Sequence, residues 1–232
     1  MLVPRVTKLA LQMVAPMIVA ASYVQPLPAQ DAKSIEDFSR IEVKAVAPET
    51  DPKTGFVIGG KNATSLIQGL TEIYGRRIGD LEKDMRPGAY ATKGFLGGEE
   101  RLVELLAEDN GYVVDELGLT HQELGRHLRA LGEISNKAGG KEFRYQGRRF
   151  KGSVRVSRWH QASPFRDGTI TNGLTIVDNL DNEKRLEYSL LMPDLIERYG
   201  FYEGKGTPYR LDPRKILEVL DFVKPAQVKP RP

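Results

Sequence analysis

The most uneven stretch of this chain is basic. Residues 141–166 hold Lys141, Arg144, Arg148, Arg149, Lys151, Arg155, Arg158 and Arg166 against a single acid, Glu142, a local net of +7. Phe143, Tyr145, Phe150, Trp159 and Phe165 are interleaved with them. Alternate residues of a strand share a face, so Arg144, Gln146 and Arg148 are expected opposite Phe143, Tyr145 and Gly147. A solvated basic face with an apolar reverse suits an anionic polymer, whether acidic polysaccharide, nucleic acid or lipid headgroups. Arg144, Arg148, Arg149, Lys151, Arg155, Arg158 and Trp159 are therefore the candidate ligand-binding residues. No named nucleic-acid-binding motif accompanies them, which makes nucleic acid the unfavoured polymer.

Residues 99–123 carry the opposite bias. Glu99, Glu100, Glu104, Glu108, Asp109, Asp115, Glu116 and Glu123 stand against Arg101 alone, a local net of −7. The partner of the basic strands is thus either a polyanion or an acidic protein face. That face can be the 99–123 segment of the same molecule, or of another copy in a homo-oligomer. Exposed ion pairs add at most about 1 kcal/mol each, yet they steer association.

Other candidate motifs fail on spacing. His121 and His127 are six residues apart, which places them on nearly opposite sides of a helix. They do not form the His-Glu-x-x-His metal motif, and a surface or partly buried pair is expected. His160 beside Trp159 has no partner legible in sequence. Gly204-Lys205-Gly206-Thr207 lacks the glycine, four residues, Gly-Lys-Ser/Thr order of a phosphate loop. Tyr199, Phe201, Tyr202 and Tyr209 flank it; they either pack the loop onto the core or form a platform for sugars or a peptide. Asp178 to Glu183 is rich in oxygens but lacks the EF-hand pattern. No Gly-x-Ser-x-Gly elbow occurs, and without cysteine there is no thiol catalysis. No metal or cofactor is expected, and nothing selects an enzymatic reaction.

These groups must be positioned by an α+β fold. An N-terminal helical part is expected, followed by a small antiparallel sheet of about four strands and two C-terminal helices. Leu66, Leu70, Ile73, Tyr74, Ile78, Leu81 and Met85 recur at helical spacing and predict one helix over 65–85. Further helices are expected over 99–108 and 112–117, and a Thr120-to-Glu123 capping box opens another that stops near Ser135. Strands are predicted over 142–159, with Gly147 and Gly152 marking a turn or bulge, and over 174–177 and 186–190. Pro193 and Asp212-Pro213 open the last two helices. The predicted organisation is a signal peptide over 1–29, a polar linker or arm over 30–60 and a helical subdomain over 61–135. An α+β subdomain over 136–224 and a flexible tail over 225–232 complete it. The arm holds two short apolar runs, Ile41 to Ala47 and Phe56 to Ile58, and is expected to add at most one edge strand.

The first residues order as a secretory signal does: Arg5 and Lys8, an apolar run from Leu9 to Ala21, then small residues, with cleavage favoured after Ala29. The run is too short to span a bilayer as a helix, so no membrane span is expected after its removal. Its loss removes two of the 34 basic residues and none of the 31 acidic ones, bringing the net charge from +3 to about +1. An exported chain without cysteine relies on an ordinary core for stability. The sequence therefore supports an exported, non-catalytic binding or structural protein of a bacterial envelope. A self-assembling component and an envelope hydrolase are the alternatives.

Overall fold

The computed structural model describes residues 35–39 and 49–225. The predicted signal peptide, the apolar run 41–47 of the predicted arm and all but the first residue of the predicted tail lie outside the described residues. Those that are described belong to one compact unit beginning at Ile35. Their helices are α1 (Thr64–Gln68), α2 (Ile78–Met85), α3 (Leu102–Asn110), α4 (His121–Ala138), α5 (Met192–Tyr199) and α6 (Pro213–Val219). The strands are β1 (Glu36–Asp37), β2 (Glu72–Ile73), β3 (Arg76–Arg77), β4 (Glu142–Tyr145), β5 (Arg148–Ala162), β6 (Ile170–Asn179) and β7 (Lys184–Ser189). A π-helical turn, Gly111–Glu116, continues α3. No helix among the described residues is long and apolar enough to cross a membrane.

The mixed α and β composition is as expected, but the arrangement differs in two places. The large sheet has five strands in the order β1-β4-β5-β6-β7, because β1 joins its edge parallel to β4. The single helix expected over 65–85 is three elements: α1, a two-stranded β2–β3 hairpin and α2. Gly69 caps α1, and Tyr74 and Gly75 turn the hairpin with φ of 47° and 76°. Two positive φ values suit a two-residue hairpin turn. Leu70, Ile73, Ile78, Leu81 and Met85 are all buried, so the apolar spacing identified the inward residues while misnaming the backbone.

Helix α4 organises the molecule. The Thr120 hydroxyl accepts from the Glu123 amide at 3.1 Å, and Gly139, left-handed at φ 58°, ends the helix. Leu124, Leu128, Leu131 and Ile134 are fully buried, the one-face pattern of an amphipathic helix. They join Phe143, Tyr145, Phe150, Val177, Leu186 and Tyr188 of the sheet in one core cluster. On another side α4 crosses α5 so closely that a Cβ on Gly125 would lie 2.7 Å from the Glu197 backbone nitrogen.

A second cluster joins Phe56, Ile67, Leu81, Met85, Phe95 and Leu102 to Leu195 and Phe201. Phe56 and Ile58, from the segment read as a polar arm, are buried in the fold. Helix α3 has no cap of its own. Its Leu102 amide donates to Glu82 of α2 at 2.8 Å, and Arg101 holds the same carboxylate. A borrowed carboxylate thus fills the anionic position that a helix start favours.

Candidate functional site

Pairing across a hairpin decides which basic side chains share a face. Directly opposed residues of an antiparallel pair project to the same side. Arg144 opposes Arg149, and Glu142 opposes Lys151. Lys151 in turn opposes Asp178, which opposes Arg185, while Arg155 opposes Leu174. This solvent-facing side therefore carries Arg144, Arg149, Lys151 and Arg155 among Glu142 and Asp178. Arg148 opposes Tyr145, whose ring is buried, so it leaves the basic face and grips Asp221 at 2.9 and 3.1 Å. The expectation that Arg144 and Arg148 share a face is corrected. Gln146 and Gly147, with φ of 49° and 73°, form a tight turn that resets the alternation.

Local acids neutralise part of the cluster. Arg149 binds Asp181 at 2.8 Å, Arg185 binds Asp178 at 2.6 Å and Arg166 binds Asp84 at 2.9 Å. Three of the eight acids of 99–123 are held by other partners: Glu108 by Lys205, Asp109 by Arg210, and Glu100 by the amides of Gly97 and Gly206. Lys151, Arg155 and Arg158 are exposed and make no ion pair among the described residues.

The far half of β5 departs from regular pairing. Val156 opposes Gly173 and Gln161 opposes Thr171, so Ser157, Arg158, Trp159 and His160 stand against Asn172 alone. A bulge this wide aims side chains outward. Within it the Ser157 hydroxyl donates to the Trp159 carbonyl at 2.7 Å and accepts from the Trp159 amide at 3.2 Å. Such local bonds replace the missing ladder. Gly152, read as a turn or bulge marker, is neither. A Cβ there would meet Ser135 Oγ at 2.0 Å, so it is the close approach of α4.

Trp159 is 83% exposed at the crest of the bulge. Two clefts meet at it. One, of about 270 Å³, is lined by Trp159, His160, Leu174, Ser189 and Tyr209. The other, of about 350 Å³, is lined by Tyr90, Thr92, Phe95, Trp159 and His160. Tyr90 and Tyr209 are both exposed, and the Arg166 guanidinium lies 5.2 Å from the Tyr90 ring centre. The Ser189 hydroxyl is buried without a hydrogen-bond partner among the described residues. No carboxylate lines either cleft.

Sequence reasoning found Trp159 but missed Tyr90, and it read Tyr209 in the wrong company. Tyr199, Phe201 and Tyr202 are buried, so only Tyr209 of that aromatic set reaches a cleft. The Gly204–Thr207 loop packs on Leu96 and Gly97, where a Cβ at Gly204 would lie 2.9 Å from Leu96 Cα. The oxygens of the 178–183 turn are committed to Arg185, Arg149 and the Lys184 amide.

A separate polar layer lies inside. His121 is buried, not at the surface, and meets Tyr202 at 2.8 Å and Asn110 at 3.2 Å. Asn110 donates its amide to Asn62 and Thr64, so its oxygen faces the imidazole. His121 Nε2 therefore carries the proton and Nδ1 accepts from the Tyr202 hydroxyl. Burial pushes His121 down to about 4, leaving it neutral. His127 bonds Tyr145 at 2.8 Å, and burial pushes it down likewise to about 4. Glu203, fully buried with φ of 63°, is pushed up to about 8 by desolvation. No group of three or more candidate metal ligands occurs among the described residues.

No family model, curated protein or solved structure matches the chain. Its function is therefore argued from the site itself.

Proposed function

We propose that the chain is an exported, non-catalytic binding protein of a bacterial envelope that holds an acidic polysaccharide across the β5 bulge. The observation that carries this reading is Trp159, 83% exposed on a four-residue bulge where two clefts meet. An indole left in water forfeits the burial that normally drives it inward, and a bulge is the local device that re-aims a side chain. A sugar ring stacks on the indole and meets Tyr90 on one side and Tyr209 on the other. Arg155 and Arg158, free of ion pairs among the described residues, supply charge for carboxylate or sulfate groups.

Trp159 is the sole tryptophan of the chain, so its fluorescence reports the site directly. Heparin is expected to change that emission saturably, and neutral dextran to leave it unchanged. The double variant Arg155→Glu/Arg158→Glu is expected to elute from immobilised heparin at markedly lower salt, since each lost contact lowers the salt dependence. Unchanged retention by a folded double variant would overturn the reading. Preferential binding of single-stranded DNA over heparin would replace the polysaccharide with a nucleic acid.

A further inference from the structure

Arg166 differs from the paired cations of the outer face in how its charge is answered. Its guanidinium bonds Asp84 Oδ2 at 2.9 Å, and the Arg76 guanidinium bonds the same oxygen at 2.9 Å. Two cations thus share one carboxylate, whereas Arg149 holds Asp181 and Arg185 holds Asp178. The acids adjoining them in the chain are taken: Asp80 by Arg77, Glu82 by Arg101 and Asp167 by Arg198. One positive charge is left over. Arg166, its side chain 51% exposed against 26% for Arg76, presents it to solvent.

The backbone fixes where that charge sits. Arg166 closes a turn, its amide donating to the Ser163 carbonyl at 3.0 Å, and takes a left-handed φ of 54°. A residue other than glycine is held there only where its surroundings compel it. Both neighbours are fastened. Phe165 stacks on Tyr199 at 3.7 Å, and the Asp167 carboxylate accepts from the Tyr199 hydroxyl at 2.7 Å and the Thr169 amide at 3.0 Å. An exposed ion pair stabilises little, so the bond to Asp84 does not by itself account for this arrangement. The guanidinium lies 5.2 Å from the ring centre of Tyr90, and Tyr90 lines the 350 Å³ cleft that ends at Trp159.

The other cleft has its own cation. Arg155 opposes Leu174, which lines the Tyr209 cleft together with Trp159. Charge therefore stands beside both clefts, with the indole common to the two. We infer that Arg166 is a second subsite for an anionic group, so that the ligand is a polyanion bearing charge on both sides of the ring stacked on Trp159. This rests on the polysaccharide reading and narrows it, since a sugar with one acidic group would engage one cleft only. Asp84 takes one of the guanidinium's donors, and carboxylate or sulfate oxygens pair with those still open.

The test titrates the full chain with heparin at several salt concentrations, reading Trp159 emission. Arg166→Gln is expected to lower affinity severalfold at low salt and to reduce the slope of log affinity against log salt by about one. Arg166→Lys meets the same left-handed backbone cost but keeps the charge, and is expected to keep the wild-type slope. Asp84→Asn removes the acid that competes with the ligand and is expected to raise affinity severalfold, whereas loss of a purely structural ion pair would not tighten binding. Glucose 6-sulfate, with one anionic group, is expected to bind far more weakly than heparin. Wild-type affinity and slope in folded Arg166→Gln would overturn this inference and leave the polysaccharide reading standing, as would glucose 6-sulfate binding as tightly as heparin. Absence of heparin binding by the wild type would overturn both.

Discussion

Glu203→Gln should stabilise this protein, and the gain should depend on pH. Glu203 is fully buried, one carboxyl oxygen lies 3.3 Å from the Thr207 hydroxyl, and the other has no partner among the described residues. Arg210 is close but donates to the Glu203 backbone carbonyl, not to the carboxyl. Desolvation therefore dominates and pushes the group from 4.5 up to about 8. The folded state binds the proton more tightly than the unfolded chain does. Stability from this group is thus fully present below about pH 4.5 and is lost as pH rises through about 8. Each pH unit in that window costs about 1.4 kcal/mol, giving roughly 3 kcal/mol at pH 7 and roughly 5 kcal/mol above pH 8. Glutamine resembles the neutral carboxyl and escapes this loss. Urea unfolding should be followed by far-ultraviolet circular dichroism, because the exposed Trp159 is a poor reporter of the core. The variant should match wild type near pH 4.5 and exceed it by roughly 3 kcal/mol at pH 7. A difference that is the same at pH 4.5 and pH 9 would refute the desolvation argument.

Two further substitutions test the framework that carries the sites. Gly125→Ala drives a methyl into the Glu197 backbone at the α4–α5 crossing; thermal unfolding should show a loss of about 3 kcal/mol. Arg210→Met leaves Asp109, 4% exposed, without the guanidinium that holds it at 2.6 and 3.1 Å. Denaturant unfolding at pH 7 should show a loss of about 3–5 kcal/mol, and a loss below 1 kcal/mol would mean that water reaches Asp109.

What the sequence disclosed was mostly which residues point inward. Leucines at helical spacing in α4 and apolar residues alternating in β4 and β7 report burial directly, because one face of each element must leave water. Backbone form was less legible where glycines intervene. The 65–85 segment keeps its apolar spacing across a helix, a hairpin and a second helix, since three short elements can bury the same residues as one long one. An edge strand from the 30–60 arm was legible, but not its place at Glu36–Asp37, because two polar residues on a sheet edge carry no hydrophobic period. The charge asymmetry was visible but its pairing was not: Arg148 and Arg149 find Asp221 and Asp181, 73 and 32 residues away, and long-range partners leave no local mark.

The candidate site shows why alternation could not be carried along β5. From Val156 to Gln161 the chain advances five residues while its partner strand advances two, from Gly173 to Thr171. Both ends of the bulge still face the same side, although an odd step along a regular strand would put them on opposite sides. Reading alternation through Val154-Arg155-Val156-Ser157-Arg158 thus assigns faces correctly only as far as Val156. Beyond it, Trp159 owes its position to the bulge and not to the strand period. Gly173 supports that local geometry, since a Cβ there would lie 2.6 Å from the Arg155 carbonyl oxygen. The same short segment therefore sets both the last regularly paired cation of the outer face, Arg155, and the exposed indole. A substitution at Gly173 should disturb heparin binding through the bulge while leaving α4 and the cores it joins in place, which separates the architecture of the site from that of the fold.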